Sequence, residues 1–204
     1  ELNISVKPEE ILNFSIPFPY YYYPLAFPLK FKVCLKYKNF SSNEIEFVVL
    51  ESKGKNLKNS LILNYDFREG EEYPYGWKIG NNNVKWENKD FISFSLNKET
   101  AEGEGLWIYS IFNEIKTPSQ YLLSVKCKSE GPNIIIFIEG WGIVKGRKRC
   151  IERNECHIFP ENKWKEYNFN IKFENENVKW FRVKLYSYLN EGKVYFDRVE
   201  LNKK

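Results

Sequence analysis

Beyond residue 60 the chain alternates apolar and polar positions with a period of two, the spacing of half-buried strands rather than of a helix. Tyr167, Phe169, Ile171 and Phe173 form one row; Lys165, Asn168, Asn170 and Lys172 fall outside it. Tyr121, Leu123, Val125 and Cys127 repeat the pattern. Phe181, Val183 and Leu185 alternate with Trp180, Arg182, Lys184, Tyr186 and Tyr188, so one set predicts a core row and the other an outer face carrying rings and cations. Ile134 to Ile138 is continuously apolar, which predicts a strand buried on both faces. Shorter strands are expected at Val84 to Trp86, Phe91 to Leu96 and Leu106 to Phe112, separated by the breaks GNNN and AEGEG. The last two, 179–188 and 193–201, are joined by Asn190-Glu191-Gly192, a turn suited to a hairpin. No segment requires a helix, and the expected class is all-β, an antiparallel sandwich.

Residues 1–60 read as an accessory set of strands. Phe31, Val33, Leu35 and Tyr37 alternate with lysines and Cys34, and Ile45, Phe47 and Val49 follow after a turn at 39–43, which predicts a hairpin. With Leu2 to Val6 this makes too few strands for a sandwich alone. They either pack on the main domain, 61–204, or belong to a small immunoglobulin-like unit. Between them, residues 16–28 (IPFPYYYYPLAFP) hold four Pro, which forbids a central strand. So large an apolar segment is expected to glue the early strands to the main sandwich rather than to stand in water as a stacking platform.

Composition narrows the picture. Aromatic residues make up 18% of the chain, which suits a β-rich fold and argues against a helical bundle. With 31 basic and 27 acidic residues the net charge is +4, too weak a field to point to nucleic acid. The one compact basic run, Lys145 to Arg149, reads as a solvated hairpin tip, with contact to acidic glycans or anionic headgroups as the sharper alternative. No apolar run is long enough to span a membrane. Starting at Glu1 and lacking Met, the sequence reads as a fragment whose parent chain is free to carry an anchor. Asn-x-Ser triplets at Asn3, Asn13 and Asn39 fit an extracellular or cell-surface setting. So do the cysteines: Cys150 and Cys156 flank the mostly charged IERNE, expected as a loop stapled by a disulfide, while any pairing of Cys34 with Cys127 stays open.

Chemistry concentrates at two places. The first is the outer row of 179–188: rings offer flat apolar surfaces to the C–H face of a sugar, and cations donate to hydroxyls or carboxylates. Trp180, Arg182 and Tyr186 are the candidates, extended by Trp107 and Tyr109. The second is the stretch Asn64 to Trp77, NYDFREGEEYPYGW, read as a first strand ending in Phe67, an acidic loop and a Trp returning to the core. Catalysis has little to build on. The single His157 leaves one base for a nucleophilic pair, C-x5-C-H is an unusual zinc spacing, and Glu102 and Glu104 flank glycines in what reads as a solvated loop.

The N-x-D-F, acidic loop, P-x-G-W opening, the W-K-E-Y-x-F segment at Trp164 to Phe169, V-K-L-Y at Val183 to Tyr186 and the closing V-Y-F-D-x-V-x-L of Val194 to Leu201 resemble the calcium-containing jelly-roll carbohydrate-binding modules around families four, nine and twenty-two. The resemblance covers about residues 61–204. It implies a jelly-roll sandwich, packing roles for Trp77 and Trp164, and a structural calcium held by Asp197 with Asp66 or Glu69. Two departures stand at that site: Arg68 replaces the acid expected after Phe67, and Arg198 the acid after Asp197. A salt bridge is what these arginines would supply in place of the ion.

The expected function is non-catalytic binding of a cell-surface or polymeric carbohydrate. The alternative is a structural accessory domain of a larger membrane or envelope protein, such as a glycosyltransferase, with no glycan binding of its own.

Overall fold

In the computed structural model of the chain the described residues are 60–70 and 72–204, preceded by the backbone of 29–33, 36–37, 40–41 and 45–49. Among the early strands β1 (Leu29–Val33) pairs antiparallel with β4 (Ile45–Val49), Phe31 opposite Phe47. Inside them β2 (Lys36–Tyr37) pairs with β3 (Phe40–Ser41), so the hairpin read from the alternation is present. The expected strand at Leu2 to Val6, the segment 16–28, Cys34 and the triplets at Asn3, Asn13 and Asn39 lie outside the described residues.

The remaining strands are β5 (Trp77–Ile79), β6 (Val84–Glu87), β7 (Phe91–Leu96), β8 (Leu106–Ser110), β9 (Asn113–Glu114), β10 (Ser119–Glu130), β11 (Asn133–Val144), β12 (Arg147–Ile158), β13 (Lys165–Phe173), β14 (Trp180–Tyr188) and β15 (Gly192–Lys203). They form an antiparallel jelly-roll sandwich. One sheet has five strands in the order β13-β10-β15-β7-β6; the other has six, β12-β11-β14-β8-β5 with β9 also on β14. The core lies between them because every second residue of each strand turns inward. Ile136, Ile138, Phe181, Val183 and Leu185 from the six-stranded sheet meet Leu123, Val125, Phe94, Phe196 and Leu201 from the five-stranded one, all fully buried. Each such side chain removed from water contributes about 1.5–3 kcal/mol.

Four expectations fail here, each for a local reason. The last two strands do not form a hairpin: β14 and β15 belong to different sheets, and the 190–192 turn carries the chain across the sandwich. Residues 61–67 turn rather than extend, because Asn64 and Phe67 take positive φ of 50° and 60°. The segment still lies along β15, with Leu61 N–H donating to Leu201 O and Val199 N–H to Tyr65 O, both at 2.8 Å. A helix does exist, α1 (Lys98–Glu102), nucleated by a capping box in which Asn97 Oδ1 accepts from Thr100 N–H and Thr100 Oγ1 from Asn97 N–H.

The fourth is the disulfide. Cys150 and Cys156 are free thiols on one strand, β12, and IERNE is strand rather than loop. Six residues of extended chain span ~20 Å, against the ~7 Å limit between bridged Cα atoms. Cys127 is also free and buried in the core, where desolvation pushes its thiol up to about 12.

Candidate functional site

β14 runs through the middle of the six-stranded sheet, between β11 and β8. Its outward residues therefore have ladder partners on both sides. Tyr186 stands opposite Trp107 and Lys184 opposite Tyr109 on β8. On β11, Trp180 faces Trp141, Arg182 faces Glu139, and Lys184 faces Phe137. All five residues singled out from the sequence, Trp107, Tyr109, Trp180, Arg182 and Tyr186, occur on this one face, each half-buried.

The rings form a continuous layer. Trp107 and Tyr109 lie 4.6 Å apart between centroids, Tyr186 stacks on Tyr188 at 5.2 Å and 21°, and Phe137 lies 6.0 Å from Tyr186. Gly105 makes room for this: its φ is +67°, and a Cβ there would fall 2.7 Å from the Tyr186 ring. Burial pushes the hydroxyls of Tyr109 and Tyr186 above the ordinary tyrosine value, so both stay protonated donors.

Cations thread through the rings. The Arg182 guanidinium sits 3.9 Å above Tyr109 and 4.9 Å from Trp141. Its Nη2 and Nε both donate to Glu139 Oε2, at 2.6 and 3.0 Å, so Arg182 is held by the sheet's own buried carboxylate. Lys148 Nζ lies 3.8 Å over Phe112 and 4.2 Å over Trp180. Lys184 Nζ lies 4.9 Å from the Tyr186 ring and within 5.7 Å of Trp107, Tyr109 and Phe137. Burial, then repulsion from Arg182, brings the Lys148 ammonium down to about 8; burial also lowers Lys184.

Glu139, Lys148 and Lys184 were not singled out as site residues. An acid inside the apolar run 134–143 was the available signal for Glu139. Lys148 is misplaced by simple counting because a bulge opposite Gly140 and Trp141 shifts the phase of β12. Only Lys145 and Gly146 form the hairpin tip; Arg147 to Arg149 are already strand.

The other tryptophans divide. Trp77 is buried against Phe67, centroids 4.9 Å apart, and its Nε1 donates to Asn64 O. Trp164 is not core: it is 42% exposed on the outside of the five-stranded sheet, edge-on to Phe91 and beside Tyr195. Trp86 Nε1 donates to Phe67 O at 2.6 Å.

At the expected calcium position, Arg68 links the acids. Its guanidinium lies 3.8 Å from Asp66, 3.0 Å from Asp90 and 3.6 Å from Asp197, and Lys126 Nζ holds the other Asp197 oxygen at 2.8 Å. Glu69 contributes backbone, its N–H and C=O both bonded to the Asn64 amide. Among the described residues no three His, Cys, Asp or Glu side chains converge as a metal site. Arg68 and Lys126 bring two positive charges to the three carboxylates Asp66, Asp90 and Asp197, so most of the charge an ion would balance is already balanced by side chains. Elsewhere, Glu102 and Glu104 are exposed around the end of α1, and His157 is exposed 3.7 Å from Glu155.

No protein-family model and no curated protein matches the sequence. By structure the chain is an antiparallel β-sandwich similar in fold to solved proteins. It is similar to a family 4 carbohydrate-binding module, at a TM-score of 0.53 and 12% identity over 70% of this chain and 99% of that one. It is equally similar, at 0.53 and 10% identity over 71% of its length, to the enzymatically active domain of tailspike protein 4 of bacteriophage CBA120, of which it spans 21%. A family 16 carbohydrate-binding module follows at 0.49 and 14% identity, over 69% of this chain and 98% of that one. Among the described residues no helix is long and apolar enough to cross a membrane.

Proposed function

We propose that this domain binds carbohydrate, without catalysing a reaction on it, through the outer face of the six-stranded sheet. The observation that carries the reading is the register of β14 against β8, which sets Tyr186 beside Trp107 and Lys184 beside Tyr109 as one aromatic layer. Such a layer offers pyranose rings flat C–H contacts and a few directed donors. The fold shared with the family 4 module supports the same reading. Trp107, Tyr109, Tyr186 and Trp180 are the contact rings. Arg182, committed to Glu139, holds Tyr109 and Trp141 in place and leaves fewer N–H groups for a ligand. A cell-surface or extracellular setting accompanies this role.

The test is a glycan-array screen of the purified chain beside a Trp107→Ala/Tyr186→Ala variant, with folding of both checked by circular dichroism. Selective binding that the folded variant loses supports the reading. Absence of binding by the folded wild-type chain overturns it.

A further inference from the structure

The ring layer gathers several cations around one buried carboxylate. Lys148, Arg153, Arg182 and Lys184 all reach the ring layer, with their cationic groups 3.8–5.7 Å from one ring or more. Glu139 is the acid buried among them, and it is shared: one oxygen bonds Arg182, and the other lies 3.7 Å from Arg153. Glu155 sits farther along β12 beside His157. Lys148 and Lys184 are left over. Among the described residues neither ammonium has a carboxylate within salt-bridge distance or donates a hydrogen bond; each rests on rings alone. A ring face attracts a cation but accepts none of its three N–H donors in the manner of an oxygen. Two half-buried ammonium groups that no carboxylate holds, set in an aromatic layer, are a poor arrangement for stability alone and a good one for an anionic group carried on a sugar.

We propose, resting on the carbohydrate reading above, that the ligand is an anionic glycan, and that Lys148 and Lys184 receive its carboxylate or sulfate groups while the rings take the sugar faces. Lys148 reads this charge from between Phe112 and Trp180, at the β12 side of the sheet; Lys184 reads it from the centre, over Tyr186. Arg182 is a positioning residue. It holds Glu139 in a short ion pair, so that the buried carboxylate forms no salt bridge with either lysine and favours the charged Lys184 only from longer range.

The inference adds a pH dependence. Arg182 on β14 shares the Phe112 ring with Lys148 and repels it, Glu114 on β9 is the ladder partner of Trp180, whose ring lies under the ammonium, and Cys150 stands two residues along β12. With burial bringing Lys148 to about 8, its ammonium is lost first as the solution turns alkaline. Binding of an anion then weakens between about pH 7 and 9.5, well before ordinary lysines titrate.

The experiment is affinity electrophoresis and calorimetry of the whole chain with polygalacturonate, alginate and hyaluronate, each beside its carboxyl-reduced form. A sulfated galactan beside its desulfated form and two neutral polymers, a glucan and a mannan, complete the set. We expect at least tenfold tighter binding to one charged polymer than to its uncharged form. Lys148→Gln and Lys184→Gln should each lose most of that preference, while Lys203→Gln at the far end of β15 keeps it. Lys148→Arg, whose charge does not titrate, should bind to higher pH than wild type. The carboxylate and sulfate arms separate the two sources of charge. Equal binding to charged and uncharged forms overturns the inference and leaves the carbohydrate reading standing; no binding to any polymer overturns both. A charge preference untouched by both lysine variants places the anion elsewhere and overturns the inference.

Discussion

Arg182 and Glu139 pair across β14 and β11 through a single carboxylate oxygen, Nη2 donating to Oε2 at 2.6 Å and Nε to the same oxygen at 3.0 Å, with Glu139 only 4% exposed. An acid so deep in an apolar strand survives because the guanidinium and the Trp141 Nε1–H, 3.2 Å away, satisfy it.

Breaking that pair from one side leaves a stranded charge. Glu139→Gln should lower stability by roughly 2–4 kcal/mol, less than a fully buried pair because Arg182 keeps some solvent. Urea denaturation at pH 7 measures it. A Glu139→Gln/Arg182→Met double variant should recover much of the loss; a double variant as unstable as the sum of both changes would show that the pair is not a coupled unit.

The opening loop turns on Asn64. Its amide donates to Glu69 O and Tyr75 O and accepts from Glu69 N–H, while its φ of 50° suits Asn better than most residues. Asn64→Ala should cost about 2–3 kcal/mol and raise exposure of Trp77, seen as a red shift in tryptophan emission. Asn64→Gly, which relieves the backbone but removes the same bonds, should cost less than Ala; equal losses would assign the whole effect to the side chain.

Reading the chain in alternating pairs recovers most of the sandwich. The burial of Phe181, Val183 and Leu185 and the outward position of the ring row follow directly from it. What it misses depends on contacts distant in sequence. Nothing in Asn190-Glu191-Gly192 says whether β15 returns beside β14 or crosses to the other sheet. Cys150 and Cys156 look like loop ends only while the strand between them is hidden by its charges. Trp164 falls on the wrong side because its aromatic neighbours, Phe91 and Tyr195, come from two other strands.

Arg68 occupies the place where an ion was expected, which gives a direct comparison. Removing it by Arg68→Ala brings Asp66, Asp90 and Asp197 into mutual repulsion, relieved in part by Lys126. The loss should be modest, about 1 kcal/mol or less, because the arginine side chain is 55% exposed. Thermal unfolding in EDTA and in millimolar calcium should then show a larger calcium response in the variant than in wild type. A wild-type chain that calcium stabilises strongly would show that an ion, not the arginine, balances these acids.

Lys148 also leaves a mark on stability. Its proton is held less tightly folded than unfolded, so between about pH 8 and the ordinary lysine value the unfolded chain binds more protons, and stability rises with pH there. Below that window the charged amine counts against the fold. Lys148→Met should therefore stabilise the chain at pH 7 by about 1 kcal/mol, discounted for the solvent the side chain keeps, and the gain should shrink by pH 10. Paired denaturation curves at the two pH values decide it; a gain that does not change with pH would be packing alone.

Among the described residues β12 is the rim of the six-stranded sheet, and one side of its backbone has no strand beside it. Arg147, Arg149, Arg153 and Glu155 are exposed along it, and Glu152 accepts the backbone N–H groups of Glu174 and Asn175, hanging a loop over the edge. A second copy docking strand to strand would have to dislodge that loop and bring arginines together. An edge so charged, with its neighbouring loop tied down, is a poor template for a further strand.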